Sequence, residues 1–297
     1  MTPAARTARD GGARPLARGP ARGPLRGLVR GLVRLAGALL RRWLPLAILV
    51  GCWEAAARAA GSAFFPPPTA IAARMRDLWF SGPPGHLFLT ADATGDVLPS
   101  LGRMALGLLL SAAAGIVLGL ALGRLDQVMA YLNPILQFAR VIPPPALVPV
   151  FVVLFDLGTQ MQVASIVFSA VWPVLLNTAD GARAVDAVQT DTARVFRLSG
   201  PDRLRFVILP SALPKIFAGL RLALSLSLIL MVFSELLPGT SNGVGFVLTN
   251  AQSQSDLPTL WSVIVLLGVL GYLLNSLLLA VERRVLGRHR AARKADS

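Results

Sequence analysis

The feature that most constrains this chain is a series of six apolar runs, at about 43–60, 101–123, 132–155, 161–178, 214–237 and 258–280. Each is near the roughly 20 residues that a helix needs to cross a hydrocarbon core. In hydrocarbon every backbone polar group must find its partner inside the protein, so runs of this length fold as helices. The expected fold class is an all-α membrane protein with six transmembrane helices. Composition agrees: 54% of residues are hydrophobic and only 15% are charged, against about 25% charged in soluble domains. The formal charge of +14 is unevenly spread. Ten of the 29 basic residues precede Trp43, six lie between Arg183 and Lys215, and six between Arg283 and Lys294. Basic residues collect on the cytosolic side of membrane proteins. Both ends and the loop at 183–215 are therefore expected in the cytosol.

Residues 1–42 form an Arg-, Gly-, Pro- and Ala-rich arm whose first part reads as disordered. From Pro24, Arg26, Arg30 and Arg34 alternate with Leu25, Val29, Leu32 and Val33, the pattern of a basic helix lying on anionic lipid. Nucleic acid is not expected as a partner, since no aromatic side chains interleave with the arginines. Residues 285–297 form a basic cytosolic tail, and the domain between, 43–284, holds the six spans. Leu49-Val50-Gly51-Cys52 resembles a lipoprotein processing box, but further spans follow it where a soluble domain should begin. After Phe65-Pro66-Pro67-Pro68 an external connection reaches about Ser100, with a surface helix expected over Thr69–Phe80. The second run carries Gly107, Ser111, Gly115, Gly119 and Gly123 at four-residue steps, a stripe that lets another helix approach closely. The third is interrupted by Pro143-Pro144-Pro145 and Pro149, which remove backbone donors. Two readings stay open: a broken helix beside a solute path, or a kink packed on its neighbours.

The loop at 183–215 is more elaborate than a link between two spans requires. Asp186 suits an N-cap, and Val188, Thr192, Val195 and Phe196 follow at helical spacing on one face. Ser199-Gly200 is expected to end that helix and Pro201 to start a second short one. The apolar stripe needs a partner.

Asp191-Thr192-Ala193, then Arg197, then Val207-Ile208-Leu209-Pro210 resembles the "EAA" loop of binding-protein-dependent ABC importer permeases. That pattern is Glu-Ala-Ala, three residues, Gly, nine residues, an aliphatic residue, one more, and Leu-Pro. Here Asp191 replaces the Glu, Thr192 the first Ala, and Arg197 the Gly. The resemblance runs from Trp43 to about Arg290. It includes Ala139-Arg140-Val141-Ile142-Pro143, Trp172-Pro173, Asn177-Thr178, Gly219-Leu220-Arg221, Ser234-Glu235 and Gly243-Val244-Gly245, and is similar to the nitrate/sulfonate/taurine-type subfamily. It implies a multi-pass permease of the bacterial cytoplasmic membrane. It also implies a homodimer, a cytosolic ATPase dimer that binds the ATP, and an external solute-binding protein. The contact with the ATPase is then expected over residues 186–200, at Asp191, Thr192, Ala193, Val195, Phe196, Arg197, Leu198, Ser199 and Gly200.

Candidate residues for a solute path are Arg140, Pro143, Asn177, Arg221 and Glu235. A charge at mid-bilayer costs at least about 2.5 kcal/mol, so each charged one needs an account. Arg140 and Arg221 either snorkel to the interface or face a path for an anion such as a sulfonate, taurine or nitrate. Asn177 either satisfies a helix end or joins them. Glu235 is either a hydrogen-bonded helix end beside Gly239 and Gly243 or an outer gate. No cofactor or metal site is expected in the chain, and no catalytic group. A phosphate-binding loop needs Gly-Lys-Ser/Thr, whereas Lys215 follows Pro214 and Lys294 follows Arg293. Against the permease stand an ion-coupled secondary transporter, which would be expected to place acids or His in mid-span, and a non-transport membrane scaffold. A divergent permease pairing with a different second permease is also open.

Overall fold

A computed structural model describes the backbone of residues 24–86 and 88–295, and the side chains of 41, 43–86 and 88–287. All regular structure among them is helical. The disorder expected at the start of the arm lies outside these residues. The chain divides into two units, 1–56 and 57–297.

Helix α1 runs unbroken over Pro24–Ala60, so the arm and the first apolar run share one helix with no break near residue 42. In the first unit Trp43, Leu46, Ile48 and Leu49 are exposed.

The second unit is built around three long helices: α3 (Leu98–Leu122), α6 (Thr159–Arg183) and α9 (Leu209–Glu235). The most extensive packing is of α6 against α9 and α3. The small-residue stripe of α3 explains the second contact. A Cβ added at Gly115 would lie 2.7 Å from Val174 Cβ, and one at Gly119 would lie 2.6 Å from the Leu175 carbonyl oxygen. Met104, Val148, Met161, Ile166, Leu230 and Met231 pack between the three helices and α5 (Pro144–Phe155). Around them α2 (Pro68–Trp79), α10 (Val244–Ser253) and α11 (Leu257–Ala295) enclose a second cluster on Trp79, Val244 and Val263.

Three expected boundaries differ. The third run is two helices, α4 (Asp126–Val141) and α5, bent by 90°. Pro144 and Pro145 open α5, and the residues before prolines are pushed out of the helical region: Ile142 has ψ 121° and Pro143 ψ 114°. Among the described residues five helices are long and apolar enough to cross a membrane, or six if this bent pair is one crossing. The fifth crossing starts before Pro214: helix continues from Gly200 to Glu235 through the short α8 (Gly200–Arg203) and a π turn at Leu204–Ile208. So the expected second short helix of the loop is the start of the fifth long one. The last helix runs past Ala280 to Ala295. A second π turn, Ala93–Val97, precedes α3. Each π turn stands just before a proline, Pro99 and Pro210. Each contains the residue four positions earlier, where a proline ring clashes with the carbonyl of a normal α-turn. A wider turn there lets both helices pass the proline.

Candidate functional site

The expected loop helix is α7 (Ala187–Val195), capped at both ends. The Asp186 carboxylate accepts the Val188 N–H at 3.2 Å. At the other end Leu198 N–H donates to the Ala193 carbonyl (3.0 Å) and Arg197 N–H to that of Arg194 (2.9 Å). This is the paired pattern of a Schellman cap, whose turning residue lies in the left-handed region. That residue is Arg197, at φ +50°. The helix thus ends ahead of Ser199-Gly200. Ser199 instead caps the following helix, accepting the Asp202 N–H. Glycine takes positive φ without strain, which is what the Gly of the resembled pattern would supply at this place.

Of the loop residues only Ala193 is buried among Asp191–Gly200. Val188, Val195 and Phe196 are 69%, 79% and 74% exposed. Val188, Thr192, Phe196 and Leu198 line a groove of about 1240 Å³ together with Phe206 and Leu286; Val195 stands outside it. Asp191 is paired with Arg194 at 3.1 Å.

The candidate path residues are not gathered into one site. Arg140 is exposed in the last turn of α4, just before the bend, and Pro143 is exposed within it. Arg140 makes no ion pair or hydrogen bond among the described residues. Asn177 is half-buried and its side-chain amide donates to the Pro173 carbonyl of its own helix (2.8 Å). Arg221 donates to Glu282 of α11 at 2.6 Å, so its charge is met within the chain. Glu235 is 1% exposed and lies about 20 Å along α9 from Arg221.

Glu235 belongs to a buried polar cluster. Ser100 Oγ lies 2.8 Å from both its carboxylate oxygens, and the Gly245 N–H donates to Oε2 at 3.0 Å. Arg103 Nη2 lies 3.0 Å from Oε1, an ion pair by distance but without hydrogen-bond alignment. Arg103 Nη1 donates to Gln162 (2.6 Å), the Val244 N–H to Ser100 Oγ (2.9 Å), and the Gly243 N–H to Asp96 (2.9 Å). Gly243 turns at φ +125°, and a Cβ there would lie 2.5 Å from the Glu235 carboxyl. Asp96, Ser100, Arg103 and Gln162 escaped the sequence reading. Their signal was present: residues 96, 100 and 103 recur at helical spacing at the mouth of the second apolar run.

Where α2 meets the start of α11, Arg74 donates to Thr259 Oγ1 and Asp256 Oδ2, each at 2.8 Å. Burial alone would raise the Asp256 carboxyl. The Thr259 hydroxyl and N–H, with the Arg74 guanidinium, outweigh it and hold the carboxyl below its ordinary value.

Residues 111–287 match the family described as "Binding-protein-dependent transport system inner membrane component". The chain is 32% identical to the nitrate import permease protein NrtB of Leptolyngbya laminosa, over 84% of this chain and 90% of that protein. It is also 32% identical to the putative aliphatic sulfonates transport permease protein SsuC of Bacillus subtilis, over 81% and 84%. Identity is 35% to the bicarbonate transport system permease protein CmpB of Synechococcus elongatus, over 64% and 68%. Among solved structures, a chain of the MetNI methionine ABC transporter shares the fold, with TM-score 0.53 and 19% identity, over 65% of this chain and 95% of that one. The chain belongs to the binding-protein-dependent transport system inner membrane components.

Proposed function

We propose that this chain is the permease of an ATP-driven importer for a small anion, coupled to a separate ATPase through residues 186–200. The observation that carries the coupling is α7 itself. It is a short helix fixed at both ends by its own caps, with Val188, Val195 and Phe196 left without cover. A surface helix that exposes large apolar side chains beside charged ones has the composition of a protein contact. In this reading the ATP is bound by the ATPase, two of which serve a homodimer of this chain. An external binding protein delivers the solute, and the basic ends and loop face the cytosol. Closure of the ATPase dimer carries α7 with it, and the long helices rock as rigid bodies between outward- and inward-open states. ATP drives that change only through contacts that differ between the two states.

The anion rests on two supports. The relatives named above are permeases for nitrate, sulfonates and bicarbonate, all negatively charged. In this chain Arg140 stands exposed beside the bend of α4 and α5 with no carboxylate partner among the described residues, while Arg221 is held by Glu282. Arg140, with Pro143 at the bend, is therefore the first choice of path residue.

Mild detergent extraction of the tagged protein tests the coupling. A soluble P-loop ATPase is expected with wild type and is lost from Asp191→Arg/Phe196→Ala; its absence from both samples would sink the coupling. For the solute, uptake of labelled nitrate, bicarbonate and taurine into vesicles with the whole importer is expected to favour one and to fall in Arg140→Ala. Equal uptake by that variant removes Arg140 from the path.

A further inference from the structure

Resting on the reading of α7 as the ATPase contact, we propose that Arg197 fits a carboxylate on that ATPase, beside the recess that receives Phe196. Three observations lead there.

The first is backbone geometry. Arg197 holds φ +50° at the turning position of the helix cap. For a residue with a Cβ this conformation costs about 1–2 kcal/mol, and for glycine nothing. The two cap hydrogen bonds from Arg197 and Leu198 enforce the turn whichever residue occupies it. The fold gains nothing visible from an arginine there.

The second is charge. Among the described residues Arg74, Arg103, Arg183, Arg194 and Arg221 meet carboxylates of this chain (Asp256, Glu235, Asp126, Asp191 and Glu282), whereas Arg140 does not. Arg197 is exposed, and no carboxylate meets it among the described residues. The nearby acids are already engaged. Asp186 caps α7, Asp191 holds Arg194, and Asp202 accepts from Ser199.

The third is neighbourhood. Arg197 follows Val195 and Phe196, the two most exposed apolar side chains of the loop. An aromatic anchor with an adjacent arginine is the composition of an interface centre. The matching surface has an apolar recess with an acid at its edge.

The experiment uses the ATPase that co-purifies with wild type, in neutral detergent, and measures its retention against rising NaCl. The variants are Arg197→Gly, Arg197→Lys and Arg197→Glu. Backbone geometry alone makes Arg197→Gly hold the ATPase as well as wild type or better, and it relieves rather than strains the fold. The proposed contact makes it bind about 5-fold more weakly at low salt with a shallower salt dependence, Arg197→Lys close to wild type and Arg197→Glu weakest. Retention by Arg197→Gly equal to wild type overturns the proposal, as does a loss that appears only when phosphatidylglycerol vesicles are added. No ATPase with wild type overturns the coupling itself.

Discussion

Around Glu235 a carboxylate, an arginine, an amide and a hydroxyl lie buried together, and the acceptors are reached by Ser100, Arg103 and the N–H groups of the 243–245 turn. In residues 186–200 Asp186, Asp191, Arg194 and Ser199 find partners two or three residues away, while Val188, Val195 and Phe196 are left without cover and Arg197 without a carboxylate among the described residues. The first region spends its polar groups on holding α3, α6, α9 and the 243–245 turn together. The second spends them on holding one short helix in shape while its apolar side faces outward. A polar residue in a membrane protein is thus not in itself a mark of function. What distinguishes the two regions is which groups remain unmatched once the chain has folded.

The largest effect that would test this contrast is at Glu235. Truncation in Glu235→Ala leaves Arg103 buried without its counter-charge, and loss of one partner of a buried pair costs about 3–5 kcal/mol. Thermal unfolding in detergent should show it as a large drop or as failure to accumulate. Asp191→Ala, which removes an exposed partner, should stay within about 0.5 kcal/mol of wild type. Equal stability of the two variants would break the contrast. Replacing both buried partners in Arg103→Met/Glu235→Leu should recover most of the loss, since the penalty lies in the stranded charge.

Packing gives the next step down. Gly119→Ala sets a Cβ 2.6 Å from the Leu175 carbonyl, where backbone must shift, whereas Gly102 has nothing within 4 Å. Overpacking of this kind typically costs about 1–3 kcal/mol. Gly102→Ala should be neutral or slightly stabilising, because alanine is the better helix former. A melting series of the two variants locates the α3–α6 contact without touching a polar group.

Much of this architecture was legible in the sequence, because it follows from local rules. Apolar length announced the long helices, the four-residue spacing of Gly107 to Gly123 announced a close neighbour, and Asp186 announced the start of α7. What was not legible depends on partners far along the chain or on backbone that side-chain pattern does not encode. Ser100 meets Glu235 across 135 positions, so Glu235 alone read equally well as a gate. Pro143–Pro145 signalled a break but not its 90° angle. Pro214 looked like the beginning of a helix, yet helix runs through it from Gly200, the π turn at 204–208 easing the passage of Pro210. The left-handed turn at Arg197 hides for another reason: nothing in an arginine suggests positive φ.

At the level of a single cap the contrast becomes sharper. Asp186→Ala removes the acceptor of the Val188 N–H, and such caps are worth about 1 kcal/mol. Because α7 packs little against the rest of the chain, the loss should be confined to it. Hydrogen exchange of the 187–195 amides should quicken while the melting temperature of the whole stays fixed. A lowered melting temperature would mean that α7 contributes to the core after all.

The smallest expected effect is at Asp256, which combines the two regions: its polar groups are satisfied internally, yet it is partly exposed. Its folded carboxyl is held below the ordinary aspartate value of 3.8. A depressed carboxylate contributes stability that is fully present above its unfolded value and is lost as pH falls through its folded one. The melting difference between wild type and Asp256→Asn should therefore be constant from neutral pH to about pH 5 and shrink below about pH 4. Arg74 and Asp256 side chains are 41% and 31% exposed, so water and salt screen the pair and its contribution stays at about 0.2–1 kcal/mol. Added salt should narrow the difference at neutral pH as well, whereas the buried Arg103–Glu235 pair should respond far less to salt. If the two pairs responded alike, burial would not be what separates the region that holds the fold from the region that faces outward.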